Sequence, residues 1–392
     1  MRIRRCAIVF LEPREEVAFD LDSLLGGGAG LRRTRRWLAL AAHLDGEVEL
    51  DAAQRECLGR LSPVAWCEGE ALADAETVDR LLELGLLIAQ DGPAHAAHRE
   101  RDEAVRGAYW WPPAAIAHRL GRWHGLDSAA AMETGQMSTA AEIRRKLGAP
   151  PAHVIERAAP ESRQRLPRVD DNEFDRLLAR RATCRNFDAA RALAQPVFAR
   201  MLQRVFAAQA QVRVEDDTVF LKKHTPSGGG LHATEAYLIV RNVEGVAPGL
   251  YHYHPTEHAL EPMPPPARPL DEFALCALAG QHWFADAPVL AVLAPRYARS
   301  FWKYRDHAKA YRALVLDVGH LSQTLYLSAT EQGLGAFVTS AINEVDIEQA
   351  FGFDPLVEGP LAICGFGWRS ERMRISEFDP TEEVWKKTPE QD

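Results

Sequence analysis

The stretch RDHAKAYRALVLDVGHLSQTLYLSATEQG, residues 305–333, constrains this chain more than any other. It holds no proline and one internal glycine, Gly319, before a stop at Gly333. Tyr311, Leu314, Val315, Val318, Leu321 and Leu325 recur at helical spacing, which predicts one long helix running through a core. EAYLIVRN, APVLAVLAP and PLAICGFG are short apolar runs and read as core strands. From Asp171 to about Phe378 helices and strands alternate, but without the regular spacing of a doubly wound sheet. The expectation is an α+β fold.

Upstream the texture changes. Residues 1–99 mix short strands and helices. In DAETVDRLLELGLLIAQDG, Asp74 caps a helix, Val78, Leu81 and Leu82 share its inner face, and Gly85 ends it. LLIAQ then reads as a strand and Asp91-Gly92 as a turn. With the earlier helix DAAQRECLGRLS, this order predicts a winged-helix-like domain. The segment LRRTRRWLALAAHL is basic at one end and apolar at the other, and its arginines, Arg32, Arg33, Arg35 and Arg36, are expected on a solvated helix face. Residues 100–170 are rich in Ala, Arg and Pro and read as a helical linker, with Trp110 and Trp111 docking it on the next domain. His118 and His124 are expected to be structural. Residues 171–392 form the third region.

The chain has 392 residues, 47% of them hydrophobic and 26% charged, which suits a soluble globular protein of two or three domains. No apolar run reaches the ~18–20 residues that span a bilayer. The start, MRIRRCAIVFLEPREE, resembles a signal peptide only briefly, because Glu12, Arg14 and Glu15 interrupt it. It reads as a strand of a cytoplasmic protein. Six scattered cysteines with no C-x-x-C pair suggest neither a zinc site nor a disulfide framework, so no metal is expected. A net charge of −9 argues against nucleic-acid binding. Dinucleotide-binding, P-loop and nucleophile-elbow motifs are absent.

What remains is a set of anion-binding elements. RRATCRNF places Arg180, Arg181, Thr183 and Arg185 within about one turn at a helix end, a convergence of guanidinium groups and a hydroxyl that suits a phosphate. HTPSGGGLHATEAYLIV sets a bare backbone before a buried strand, as in a tight turn or at the close approach of a ligand. WRSERMR adds Arg369, Arg372 and Arg374 near the carboxyl end.

In order, RRATCRNF, TPSGG, the SFWKYRDHAKAYR…GHLSQT…FVTS stretch and FGFDPLVEGPLAICGFG resemble the nitroreductase superfamily of flavin proteins. More narrowly they resemble its azoline-dehydrogenase branch, the SagB-type subunits and related peptide-maturation dehydrogenases; GLYHYHPTEHALEPM is similar to a hairpin of that branch. The resemblance covers roughly Glu173 to Arg369. It implies a mixed sheet flanked by helices, FMN as cofactor, and a homodimer. It implies that Arg181, Thr183 and Arg185 hold the FMN phosphate, with Arg369 as a further ligand. It places Pro226, Ser227, Gly228 and Gly229 against the flavin, and Ser340 and Ala341 past its reactive edge. Lys303 and Tyr304 match the catalytic pair of azoline dehydrogenases.

The chemistry suits those residue types. Oxidising a thiazoline or oxazoline to an azole removes a proton from Cα and a hydride from the neighbouring carbon. Lysine serves as the base when burial or a nearby cation lowers its proton affinity, and tyrosine orients the ring or relays a proton. The sequence departs from the branch at Thr324, where GHLSQT replaces an asparagine, and at Lys309. His320 and Gln323 are read as packing and hydrogen-bonding groups of the helix. The leading expectation is an FMN-dependent dehydrogenase of a ribosomally made precursor peptide, with a cyclodehydratase as partner. The rivals are a flavin-dependent reductase of a peptide alkene such as dehydroalanine, a noncatalytic leader-peptide-binding subunit, and a winged-helix DNA-binding regulator with a flavin sensor.

Overall fold

Capping residues and short apolar runs set the element boundaries in the computed structural model, which describes residues 1–69 and 74–385. The first elements are β1 (Arg2–Arg5), β2 (Val9–Phe19), α1 (Leu21–Leu25), β3 (Leu31–Ala41), β4 (Glu47–Leu50), α2 (Ala52–Arg60), β5 (Cys67–Glu68), α3 (Ala75–Glu83), β6 (Leu87–Ala89), α4 (Ala96–Gly107) and α5 (Pro112–Leu120). Next come α6 (Ser128–Thr134), α7 (Ala140–Leu147), α8 (Glu173–Ala179), α9 (Gln195–Val205), β7 (Ala210–Glu215), β8 (Thr218–Lys222), β9 (Thr234–Val240), β10 (Gly249–His254) and β11 (Ala259–Pro262). The last are α10 (Leu270–Ala277), β12 (Val289–Pro295), α11 (Tyr297–Lys303), α12 (Ala310–Glu331), β13 (Gly335–Thr339), α13 (Glu344–Phe351) and β14 (Ala362–Gly367).

The chain divides into two units. The first gathers Met1–Arg122 with two short segments from far down the sequence, Tyr297–Arg312 and Pro355–Glu358. The indole of Trp110 explains that grouping: it is buried, packs against Tyr297 and Phe301, and donates to the Leu356 carbonyl at 2.9 Å. His118 is structural, as expected. One ring nitrogen is 2.8 Å from the Pro355 carbonyl, and burial draws the ring pKa down to about 3. In the same unit α2 and α3 pack on the antiparallel sheet β5-β1-β6. Asp74 caps α3 by accepting from the Thr77 N–H at 2.8 Å, and Val78, Leu81 and Leu82 are buried, all as the sequence predicts.

One expectation for this unit is corrected. LRRTRRWLALA is strand β3, paired with β2 along eleven residues, and is not a helix. Cross-strand partners decide this: Arg33 and Arg35 meet Glu15, Arg36 meets Glu16 and Glu49, and Arg32 meets Asp20. Strand β6 ends its sheet, yet Leu87, Ile88 and Ala89 are all 0% exposed. Its outer edge is therefore not free to accept an added peptide strand.

The second unit comprises Trp123–Arg296, Ala313–Asp354 and Gly359–Asp392. Its centre is a six-stranded sheet in the order β11-β10-β9-β12-β14-β13, with every neighbouring pair antiparallel. A parallel bridge from Thr183 to Ala336 on β13 makes the sheet mixed. All seven residues of β12 are buried, because both faces are covered. Val289, Ala291 and Leu293 join Phe198, Met201 and Leu202 of α9 and Leu321 and Leu325 of α12. Leu290, Val292 and Ala294 join Phe273 of α10 and Ile347 and Phe351 of α13. The fold is α+β, a sheet between helical layers. The long helix begins at Ala310 rather than Arg305, and Val315 is exposed while Leu314, Val318, Leu321 and Leu325 are buried. No helix among the described residues is long and apolar enough to cross a membrane.

Candidate active site

Helix α8 ends before the arginines begin, so they do not share a helical turn as the sequence suggested. Residues 181–187 run extended along β13, with the Cys184 N–H donating to the Ala336 carbonyl at 2.8 Å. Period two then sorts the side chains. Ala182, Cys184 and Asn186 turn inward and are buried, while Arg181, Thr183 and Arg185 are half-buried at the alternate positions. The strap is held from behind by Asn186, whose amide donates to the Ile375 carbonyl and accepts from the Arg374 and Ile375 N–H groups. Glu377 completes the hold by accepting from the backbone N–H groups of Arg185 and Asn186. Burial works to raise the Glu377 carboxyl. The Arg185 N–H, the Trp385 indole, the Arg369 charge and the Asn186 amide outweigh it and keep the carboxyl below its usual range.

Three groups meet on the outward side of this strap. The Thr183 hydroxyl is 3.0 Å from the Tyr326 hydroxyl, which also accepts from the Val338 N–H, and the Arg181 guanidinium lies 5.4 Å from the centre of the Tyr326 ring. Neither the Arg181 nor the Arg185 guanidinium has a carboxylate within ion-pair distance among the described residues. Two half-buried cations and a hydroxyl without a resident anion fit a phosphate. Arg369 differs. It pairs with Glu377 at 2.5 Å and donates to the Ala182 carbonyl at 3.0 Å, so its charge is already answered within the fold. Tyr326 and Glu377 were not singled out from the sequence. Tyr326 sits on the long helix's buried face like any core residue, and Glu377 lies in a segment without periodic pattern.

The bare loop is explained in part by its own packing. A Cβ on Gly228 would stand 2.9 Å from Cβ of Ala313 on α12, and Gly229 and Gly230 have φ of +64° and +72°. The loop is tied to the same helix by Asp317, which is buried and accepts from the Ser227 hydroxyl at 2.5 Å and the Gly228 N–H at 2.9 Å. The Ser227 oxygen in turn accepts from the His232 N–H at 2.9 Å. Pro226 is exposed at the start of the turn. Behind the loop lies a small cavity lined by Lys223, Thr225, Pro226, Ser227, His232, Thr234, Asp317 and Leu321. Burial draws the Lys223 amine below the ordinary lysine range; the Glu235 carboxylate opposes that effect and Arg296 adds to it. Lys223 was also missed, since a lysine beside a second lysine reads as solvated surface.

Ser340 follows β13 and is exposed, whereas the Ala341 N–H is taken by the Thr339 hydroxyl at 3.2 Å. The Ala341 carbonyl accepts from the Gln281 amide at 2.6 Å, which fixes this turn. Lys303 and Tyr304 belong to the first unit, at the end of α11. Lys303 is exposed, with its ammonium 5.5 Å from the Tyr304 ring centre. Arg305, two residues after Lys303, stacks on Tyr109 at 4.1 Å. A larger cavity of about 500 Å³ in the second unit is lined by Met263, Pro264, Arg268, Phe273, Asp346 and Phe351 and includes none of the sequence-predicted residues. Among the described residues no group of three His, Cys, Asp or Glu side chains could hold a metal ion.

The helix-covered sheet thus carries the arginine strap along its edge strand β13. The sequence profile of the nitroreductase family matches residues 178–368. A nitroreductase-family protein of Methanocaldococcus jannaschii, MJ1384, is 31% identical over 212 residues, which is 53% of this chain and 96% of that protein. The chain belongs to the nitroreductase family. The trifolitoxin-processing protein TfxB of Rhizobium leguminosarum bv. trifolii is 27% identical over 152 residues, covering 36% of this chain and 38% of that relative. Among solved structures, the E. coli microcin synthetase McbBCD complex with truncated pro-MccB17 aligns over 69% of this chain and 94% of its own, at 20% identity and a TM-score of 0.48.

Proposed function

We propose that the protein is an FMN-dependent dehydrogenase that oxidises azolines to azoles in a ribosomally made precursor peptide. The observation that carries the cofactor is the strap face, where Arg181 and Arg185 flank Thr183 without carboxylate partners. FMN bound there supplies the hydride acceptor. The residues of the chain do the rest. Arg181, Thr183 and Arg185 bind the phosphate, and the Pro226–Gly230 loop, braced by Asp317, shapes the wall beside the ring. Ser340 and Ala341 border the reactive edge. Arg369 holds the strap through Glu377 instead of touching the phosphate. Lys303 takes the Cα proton of the substrate, and Tyr304 orients it. Peptide maturation is supported by the likeness to a trifolitoxin-processing protein.

A homodimer and a cyclodehydratase partner belong to the same proposal. So does a docking role for the amino-terminal region, supported by the exposed Phe19, Leu21 and Leu25 around the end of the β2–β3 hairpin. Deleting residues 1–99 is expected to impair turnover of a full-length precursor more than FMN binding; equal loss of both refutes the docking role.

The decisive experiment is anaerobic mixing of the FMN-loaded protein with a thiazoline- or oxazoline-bearing peptide, followed by bleaching of the visible flavin band. Lys303→Ala is expected to keep FMN and to slow bleaching by at least ~10²-fold, the scale of general acid–base catalysis. Equal rates for parent and variant remove Lys303 from the chemistry. No bleaching by azolines, together with reoxidation of the reduced protein by a dehydroalanine peptide, replaces the dehydrogenase with an alkene reductase.

A further inference from the structure

The cavity of about 500 Å³ in the second unit has no part in the chemistry above, yet its size falls in the range of about 300–1,000 Å³ usual for ligand sites. Phe273 and Phe351 on its wall belong to one core layer of the sheet, and Tyr326, which meets Thr183, belongs to the other. The cavity is therefore separate from the phosphate face of the strap. Met263, Phe273 and Ala350 make much of its lining apolar. Its polar groups are unevenly placed. Pro264, Pro265 and Pro266 line one stretch and have no N–H to donate. Gln349 to Gly352 line another, at the end of α13, where the last carbonyls of a helix have no partner within it. The buried Asp346 carboxylate accepts from the Gly125 N–H at 2.8 Å, neighbours the Cys276 thiol and lies 3.6 Å from the Arg268 guanidinium. A carboxylate has about four lone-pair sites, so it can take a further donor. An anion would face Asp346 and the negative end of the helix, and a lone cation would face Arg268. The lining suits an apolar body that brings N–H donors for the carboxylate and helix carbonyls, and one carbonyl for Arg268. A peptide segment has all three.

We propose that this cavity is a second peptide site, which takes a bulky apolar side chain of the substrate peptide (leucine, phenylalanine or tryptophan) away from the residue that is modified. This rests on the peptide reading above. Asp346 and the carbonyls at the end of α13 accept peptide N–H groups, and Arg268 donates to a peptide carbonyl. Asp346 follows Ala341 by five residues, so their backbones lie within about 18 Å of each other. An extended peptide covers that span in about six residues. The anchoring residue thus stands about six positions or fewer from the modified one.

The test is fluorescence anisotropy of the intact chain with the dye-labelled peptide Gly-Ser-Gly-Phe-Gly-Ser-Gly and its counterpart with alanine for phenylalanine. The phenylalanine peptide is expected to bind about tenfold more tightly, the scale of burying one large apolar side chain. Ala350→Trp fills the cavity and is expected to abolish that preference while flavin content stays at the parent level. Arg268→Glu, at an exposed position, is expected to weaken the phenylalanine peptide by about threefold or more. Equal affinity of the parent for the two peptides overturns the site, and so does a preference that survives Ala350→Trp. If Ala350→Trp does not fold, Arg268→Glu carries the test, and unchanged affinity overturns the proposal. N-acetylphenylalaninamide binding as tightly as the peptide makes this a small-molecule pocket and overturns it too. Flavin bleaching by azoline peptides is a separate readout. A parent that prefers the phenylalanine peptide but bleaches with no azoline loses the dehydrogenase reading and keeps this site; the converse result does the reverse.

Discussion

Two arginine clusters in this chain look alike as sequence and behave oppositely as structure. LRRTRRW in the first unit and RRATCR in the second each pack basic residues around a threonine. On β3, Arg33 and Arg35 share Glu15, while Arg36 takes Glu16 and Glu49. These contacts satisfy the charges, hold the Glu15 carboxyl below its usual range, and leave little for a ligand. On the strap, the Arg181 guanidinium lies beside the Tyr326 ring, and neither it nor the Arg185 guanidinium has a carboxylate within ion-pair distance among the described residues. Partner accounting separates a solvated scaffold from an anion site where residue counting does not.

The comparison breaks most readily at the strap. Arg185→Ala is expected to weaken FMN binding by about 1.5–3 kcal/mol, the scale of a hydrogen bond to a charged group. Fluorescence titration measures it, and unchanged affinity moves the phosphate elsewhere.

Glu377 gives the next largest effect, because it holds the strap rather than the ligand. Glu377→Gln is expected to cost about 1–3 kcal/mol of stability at neutral pH by disturbing the set of donors that converge on the carboxylate. The pH dependence has a definite sign. A carboxyl held below its unfolded value stabilises the fold above that value, about 4.3. That contribution is lost as pH falls through the lower folded value. Melts of the parent between neutral and acid pH should show the loss, and the glutamine variant should lack that part of the slope. Parallel curves would remove Glu377 from the acid response.

The smallest effect sharpens the contrast from the other side. Replacing Arg33 and Arg35 together by alanine is expected to leave FMN affinity at the parent value and the melting temperature nearly so, since exposed pairs contribute little. A loss of cofactor binding like that of Arg185→Ala would erase the distinction between the clusters.

The sequence by itself determined what depends on local periodicity and capping. The strands around EAYLIV, VLAVLAP and AICGFG, the caps at Asp74 and Gly85, and the long helix ending near Gly333 could be read there, because each is written in neighbouring residues. The strap composition was legible too, as the pairing of arginine with threonine. Tertiary structure decided the rest. It made LRRTRRWLALA a strand, because glutamates from β2 lie across from its arginines. It turned Arg181, Thr183 and Arg185 to one side by period two, because β13 offered a carbonyl to Cys184. It took Arg369 into a pair with Glu377 and set Gly228 against Ala313. These outcomes rest on contacts between residues far apart in the chain. A charge is neutralised, and a glycine required, by whatever the fold brings beside it, which no local pattern of residues records.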